Sequence, residues 1–537
     1  MAGGSSSTPW AGLLAAWLGW NAGFARVAPA NPPAASEGSP PAPAPELFTT
    51  GQVRCLRIEL SADALQSLRD APRVYVRALV REGDRAYPDT GLHLKGRSGS
   101  FRSVAEKPGL TLSFDRFSPS QRFHGHTKIH LNNSVEDPSY LNEYLGAELF
   151  RVAGVPAPRV THALVELNGR KLGLYVLKEG FTREFLAQHF RRTDGSLYEN
   201  DPGSGPPGRM RRQFGIDHEA ELKELAAVAQ EPDFAKRRQR LQRILDVDRF
   251  LSFMAIEVMT GHRDGYCLAR NNFRMYYDPD GDRFVFLPQG LDQLFGRADL
   301  PLRARLAGPV ASAVMEMPQS RRDFRERVAA LYTNVFKVDE LTRRADELLA
   351  QLLPALDKDA ADEVERQATL VKQRIALRAA NLAKQLSEPE ATPPRFEQGV
   401  ARLTNWRAVD VPAAGKLEQV NTPDGRRALR IRAEGTTGAS WRTTVLLEAG
   451  RYRFEGLART VSVEPLAFGK NKGAGLRVSE AEGHRPYQLT GDSPWTLLVV
   501  EFAATAPQSE VELLCELRAR QGDAWFDLES LRLVRQK

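Results

Sequence analysis

Residues 261–296 read GHRDGYCLARNNFRMYYDPDGDRFVFLPQGLDQLFG. The segment NNFRMYYDPDGDRFVFLP has the form of a β-hairpin, two apolar-aromatic runs turned at Asp278-Pro-Asp-Gly-Asp282. A hairpin returns its ends to one place, so Asp264, Asn271 and Asn272 on one side and Asp292 on the other are expected to converge. Convergent carboxylate and amide oxygens suit a hard divalent cation. Phosphoryl transfer needs such oxygens, basic groups for the phosphates and a carboxylate to orient the acceptor hydroxyl. A plainer reading has Asp264 and Asp292 capping local turns. Residue types alone leave both readings open.

Around this stretch the order of elements is α+β. VRCLRIEL (53–60) and VYVRALVR (74–81) alternate as strands do, and LHLKGRSGSFR leads a strand into a basic Gly/Ser loop. KPGLTLSFDRF returns as a strand. SYLNEYLGAELFRVAG reads as an amphipathic helix, with Asp137 or Ser139 as its cap and Gly154 and Pro156 as its stop. THALVELNGRKLGLYVLKEGF is a hairpin turned at Asn168-Gly169. Residues 218–260 and 318–386 read as helical.

The chain has 537 residues, too many for one core. Tryptophan is absent between residues 50 and 395 but present at Trp406, Trp441, Trp495 and Trp525, which points to two separately built cores. The expected organisation is an apolar leader at 1–28, a Pro/Ala-rich linker at 29–48, a main domain at 49–388, a linker at 389–396 and an all-β sandwich at 397–537. The uncharged WAGLLAAWLGWNAGFA, with Ala22, Ala25 and Ala28 as small residues near a cleavage point, predicts export, although no basic residue precedes it. The expected location is secreted, periplasmic or cell surface, with no transmembrane span in the mature chain. A net charge of +7 permits acidic ligands, and the basic runs GRMRRQ and KRRQRLQR lack interleaved aromatics, so no nucleic acid is expected. Cys55, Cys267 and Cys515 are too scattered for a zinc ribbon or disulfide scaffold. His124, His126 and His130 would share one face of a strand, but no carboxylate or cysteine completes a zinc set.

The run from LKGRSGSFR through KPGLTLSFDRF, NEYLGAELFRVAG and RNNFRMYYDPDGDRFVFLPQGLDQLFG resembles the CotH (spore coat protein H) kinase-like family. That resemblance implies an atypical two-lobed protein-kinase-like domain using ATP and Mg2+ or Mn2+ to phosphorylate serine or threonine of secreted or surface proteins. It implies Lys107 on the ATP phosphates under a loop containing Gly96, Arg97 and Ser98, with Glu143 or Glu148 as the partner of Lys107. Asp264 would be the catalytic acid, with Asn272 and Asp292 at the metal. Two positions depart from the family's pattern. Gly96-Arg97-Ser98-Gly99 replaces Gly-Asn-Ser-Ser, and Gln289-Gly290-Leu291-Asp292 replaces Trp-Asp-x-Asp. A descendant without catalysis, acting as a structural or glycan-binding surface module, is the alternative.

The last 140 or so residues carry seven short alternating runs, from RALRIRA to AWFDLESLRLV, as a β-sandwich requires. Their ending is similar to that of jelly-roll carbohydrate-binding modules, which implies a glycan partner. Trp406, Trp441, Trp495 and Tyr487 are the aromatic candidates for it, and Trp525 is the one expected in the core.

Overall fold

The structure, a computed structural model, describes residues 46–49, 53–97, 99–200, 210–304, 306–388, 393–410, 414–467, 472–479, 488–504 and 509–536. The leader, most of the first linker, Ser98 and Tyr487 therefore lie outside the described residues. The fold is α+β, with helices beside large sheets.

Seven strands close into a barrel in the order β1-β2-β3-β4-β5-β7-β6. They are β1 (Arg54–Glu59), β2 (Val76–Glu82), β3 (Arg85–Lys95), β4 (Gly109–Ser113), β5 (Lys128–Asn132), β6 (Val160–Leu167) and β7 (Arg170–Glu179). Leu92 and Leu94, Leu110 and Leu112, Ile129 and Leu131, and Leu177 fill the interior. Side chains alternate along a strand. The same register therefore turns His93, Lys95, Thr111, Lys128, His130, Asn132 and Lys178 to the outside. This polar outer face of an apolar barrel is where the candidate site is built.

Next to it stands a four-stranded sheet, order β11-β10-β8-β9, from β8 (Ser196–Asn200), β9 (Met210–Phe214), β10 (Phe273–Asp278) and β11 (Arg283–Pro288). The hairpin read from the sequence is β10 and β11, with Asp278 paired to Arg283 across the expected turn. The expected Asn168-Gly169 turn is present too, both residues at positive φ. The helix Val247–Thr260 is capped by Asp246, whose carboxylate accepts from the Arg249 amide at 3.1 Å. Phe250 through Thr260 are all buried, so it is the central helix of the second core. Gly261, at φ +60, ends it in a left-handed cap. The N-cap position of the helix Asn142–Val152 is Leu141, which makes no side-chain cap bond, so neither Asp137 nor Ser139 is the cap. Both instead bond the backbone there from just ahead of it, Asp137 accepting from the Asn142 backbone N–H at 2.8 Å and Ser139 Oγ from that of Leu141 at 3.2 Å.

The histidine reading needs correction. HGHTKIHL is not one strand, because Phe123 and His126 pair with each other in a tight turn before β5 begins at Lys128. His124 contacts Glu82 at 2.6 Å, His126 lies 3.7 Å from Glu179, and His130 hydrogen-bonds Thr111 at 3.0 Å. The three have separate partners.

The C-terminal strands join one nine-stranded sheet. RALRIRA and SWRTTVLLEAG, expected as two strands, are one strand, Arg427–Leu447, bulged between Glu434 and Thr437. Straight, the residues from Arg430 to Trp441 would span roughly 36 Å at about 3.3 Å each. Yet the Trp441 indole donates to the Arg430 carbonyl at 3.1 Å. The strand and its partner Ser509–Asp527 must therefore fold back on themselves around the bulge. Trp441 is buried in the fold, whereas Trp525 is only half-buried, with the Arg430 and Arg459 guanidiniums 5.6 and 5.8 Å from its ring. The expectation that Trp525 is the core tryptophan is thus overturned, since the odd-numbered positions of its strand segment face outward.

His162, 1% exposed, donates from Nε2 to the Tyr140 carbonyl at 2.9 Å, and its Nδ1 has no partner. Burial holds its pKa down to about 4. The unfolded chain binds the proton first as pH falls, so this contribution is whole above about 6.5 and is lost progressively toward pH 4. The shift corresponds to roughly 3 kcal/mol. Urea denaturation of a His162→Gln variant should show a midpoint that falls less between pH 7 and pH 4.5 than in the parent.

Candidate functional site

The outer barrel face and the hairpin region meet at Glu143. This residue, 2% exposed on the helix Asn142–Val152, forms a buried ion pair with Lys178 of β7. Its other oxygen accepts the backbone N–H of Leu291. The Asn142 amide donates to the Asp292 carbonyl at 2.9 Å. One helix turn thus fixes the lysine on one side and the Asp292 loop on the other. Close packing makes this possible, since a Cβ at Gly146 would lie 2.5 Å from Leu294 Cδ1. Gly146→Ala should cost about 1–3 kcal/mol through overpacking, read as a lower thermal midpoint.

Lys178 is therefore the partner of Glu143, in place of the expected Lys107. Lys107 Nζ donates to Tyr140 OH at 2.8 Å and lies 5.2 and 5.1 Å from the Tyr140 and Tyr175 ring centres. Burial without a carboxylate brings its pKa down to about 8. Glu148, the other expected partner, faces Arg344 at 3.4 Å. The signal for Lys178 in the sequence is its place directly after the apolar run LGLYVL (172–177), in a strand whose end is buried, where a lysine is expected only when its charge is paired.

A second lysine, Lys95, reaches the same place and donates to Asn132 Oδ1. Its pKa falls to about 8 through burial and then the charge of Lys178, which Glu143 and Asp292 only partly offset. His130, half-buried on the same face, is held well below its usual value by desolvation and by Lys95, Lys128, Arg274 and Lys178. Arg274 spans Gln289 Oε1 and Glu199 Oε1, both at 2.7 Å. The Lys128 ammonium has no hydrogen-bond or ion-pair partner among the described residues. Basic groups gathered to this density fit a polyphosphate.

Asp264 and the two asparagines do converge. Asp264 Oδ2 accepts from Asn271 Nδ2 at 2.9 Å and from Asn272 Nδ2 at 2.8 Å. Asn272 sits at φ +49, and a Cβ on Gly290 would come within 2.6 Å of its Oδ1. Gly290, at φ +61, is the residue that admits this asparagine. His262 ties the parts together, with Nε2 donating to the Gly290 carbonyl at 3.0 Å and Nδ1 3.3 Å from Glu257 Oε1. Burial opposes its protonation, but the Glu257 hydrogen bond and charge outweigh it and raise the pKa. Glu257 also binds the Tyr266 and Cys267 amides at 3.0 and 2.6 Å, which fixes the bend carrying Asp264.

Asp292 lies with Glu143 and Lys178. Its pKa is raised by burial and then by Glu143, against the pull of Lys178. A carboxylate pressed against another carboxylate favours a cation. Among the described residues no three His, Cys, Asp or Glu side chains form a metal cluster by themselves. Magnesium commonly takes one or two protein carboxylates and completes its shell with water and phosphate oxygens, and Asp292 and Asn272 supply oxygens of the kinds it takes. The loop expected over the phosphates is tightly bent, with Gly96 at φ +106 and Phe101 N donating to the Arg97 carbonyl at 2.6 Å. Asn133 ties it to the segment of Lys107, donating to both the Ser100 and Lys107 carbonyls at 2.9 Å.

The inner spore coat protein H of Bacillus subtilis is 21% identical over 277 residues, covering 47% of this chain and 75% of that protein. Invasin CotH2 of Rhizopus delemar is 24% identical over 266 residues, 43% of this chain and 44% of its own length. The chain thus spans three quarters of the first relative and under half of the second. Among solved structures, the Helicobacter pylori proinflammatory kinase CtkA aligns with 54% of the chain and 96% of its own, at 7% identity and a TM-score of 0.25. The module TmCBM61 in complex with β-1,4-galactotriose aligns with 27% of the chain and 95% of its own, at 19% identity and a TM-score of 0.19. Likeness at those scores extends to neither activity nor ligand. Residues 92–382, from β3 to the last long helix, match the CotH kinase protein family throughout, and they contain Lys95, Glu143, Lys178, Asp264 and Asp292. The chain belongs to the CotH kinase protein family.

Proposed function

We propose that this protein is a kinase-like phosphotransferase that moves the γ-phosphoryl group of ATP to a serine or threonine hydroxyl of a secreted or cell-surface protein. The observation that carries the reading is the helix Asn142–Val152 holding Lys178 through Glu143 and the Asp292 loop through the Leu291 amide. In a two-lobed kinase-like reading, the barrel supplies the phosphate-binding lysines and the hairpin region supplies the acids. Lys95 and Lys178 would hold phosphate oxygens, and the loop with Gly96, Arg97 and Ser98 would exclude water above them. The Asp264 carboxylate, oriented by Asn271 and Asn272, would take the proton of the acceptor hydroxyl as its oxygen attacks phosphorus. Asp292 and Asn272 would hold Mg2+ or Mn2+, which when bound neutralises charge on the phosphates. The role first read for Lys107 passes here to Lys178 and Lys95.

The folded-back C-terminal sheet fits a jelly-roll-like, carbohydrate-binding-module-like sandwich that anchors the protein to a glycan. The relatives' names, a spore coat protein and an invasin, support a surface location. Among the described residues, no helix is long and apolar enough to cross a membrane.

A second reading, a kinase-like surface module without catalysis, is favoured by Gly290 in place of an acid and by the absence of a three-ligand cluster among the described residues. Thermal denaturation with ATP and magnesium separates the two. At about 100 times Kd, binding to the folded state adds about 2.7 kcal/mol, so the parent should melt several degrees higher. No shift with any nucleotide and metal pair would favour the non-catalytic reading.

A further inference from the structure

We propose that the acceptor is an acidic, extended segment that pairs with the free edge of β9 and presents its hydroxyl to Asp264. This deepens the phosphotransferase reading and rests on it.

The strand β9 is the outermost of its sheet, and among the described residues it is paired on one side only, with β8. Arg211, Arg212 and Gln213 in it are exposed. An edge strand offers a row of unpaired N–H and C=O groups on which an extended peptide can add by main-chain pairing.

This edge runs to the candidate catalytic acid. Met210, at the start of β9, is in register with Asn200 at the end of β8. Asn200 Nδ2 donates to Asn271 Oδ1 at 3.3 Å, and Asn271 in turn donates to Asp264 Oδ2 at 2.9 Å. A strand laid on β9 therefore passes within a few residues of Asp264.

Charge decides the chemistry of that strand. Arg263 and Arg270 are exposed on either side of the Asp264 turn, and Arg212 is exposed on the edge. None of the three has a carboxylate partner among the described residues, whereas Arg211, beside Arg212 on the same strand, pairs with Glu199 at 2.8 Å. The nearest acidic side chains in sequence, Asp217, Glu219 and Glu221, follow the far end of β9. Guanidinium groups favour carboxylates because their planar donors match two oxygens at once. A segment with Asp or Glu around its serine is thus complementary, and a Lys/Arg-rich one is repelled.

The test compares two synthetic peptides of equal length, one serine flanked by Asp and Glu and the other by Lys and Arg. Phosphate transfer by the full chain is measured with the thermal midpoint followed throughout. The acidic peptide should show at least tenfold higher kcat/KM. The double variant Arg212→Glu with Arg270→Glu should lose that preference mainly through KM. Methylating alternate backbone nitrogens of the acidic peptide should raise KM in the parent, which a purely electrostatic contact would not produce. Fluorescence anisotropy of the labelled acidic peptide, at 50 and at 300 mM salt, reads docking without turnover and should weaken with salt. Equal or better transfer to the basic peptide, or a preference unchanged in the double variant, overturns the docking proposal and leaves the phosphotransferase standing. No transfer to either peptide or to the protein itself overturns the reading beneath it as well.

Discussion

Replacing Asp264 with asparagine is expected to lower phosphate transfer by about a thousandfold or more while moving the thermal midpoint little. A positioned acid–base group contributes roughly 10²–10⁴ in rate, and asparagine cannot take a proton. The fold should tolerate the change because Asp264 is half-exposed and its own contacts are the side-chain amides of Asn271 and Asn272. The asparagine carbonyl oxygen can still accept one of those bonds. KM for ATP should stay nearly constant, since in the proposed reading the barrel lysines, and not Asp264, hold the phosphates. A fall in KM-normalised affinity without a fall in kcat would instead place Asp264 in nucleotide binding.

The second large effect lies far from the chemistry in sequence. Arg378, in the helix Lys358–Ser387, is fully buried. Its guanidinium donates to the carbonyls of Met259 at 3.0 Å, Val258 at 2.9 Å, Ala298 at 3.1 Å and Leu300 at 2.6 Å. Two of these carbonyls end the helix Val247–Thr260, and two belong to the segment after the Asp292 loop. A cation at a helix C-terminus is favoured by the exposed carbonyls there. Burial lowers its pKa to about 10, which leaves it charged at neutral pH. Arg378→Met keeps the bulk but takes the guanidinium from all four carbonyls, of which Leu300 keeps the Gln385 side-chain amide and Val258 keeps the Gly261 N–H. The expected loss is about 3 kcal/mol, since each hydrogen bond to a charged group contributes about 1.5–3 kcal/mol and the acceptors left behind are neutral, or on the order of 10 °C in Tm. Because both flanks of the catalytic turn depend on this one side chain, activity should disappear at lower temperature in the variant. A shift under about 2 °C would mean that water replaces the guanidinium.

Several features of the site were legible in the sequence. The hairpin at 273–288 and its turn follow from alternation and from Asp-Pro-Asp-Gly-Asp, and they return Gln289 and Gly290 to Asn272. The helix at 142–152 follows from its apolar period. Which lysine meets Glu143 was not legible, because the pairing joins β7 to a helix through a closed barrel, and closure depends on the parallel β1–β6 contact, which no local pattern reveals. His262 shows the same limit. Nothing in the sequence assigns it a place, whereas in the fold it is wholly buried between Glu257 and the Gly290 carbonyl. In the C-terminal region the period-2 pattern located the strands but not the fold-back at 434–437. A bulge slips the register there, and alternation in the terminal strand separates Trp525 from Phe526 without saying which of the two faces inward.

The most direct measurement is transfer of labelled phosphate from ATP, with magnesium or manganese, to the protein itself and to a casein-type acceptor, beside Asp292→Asn. Asp292 is the one acid retained where the family's pattern has two, so it carries the whole acidic contribution of that loop. Label in the parent that vanishes in Asp292→Asn, with the variant still folded, is the predicted result. No label in the parent under either metal, together with no thermal shift by nucleotide, would contradict the phosphotransferase account.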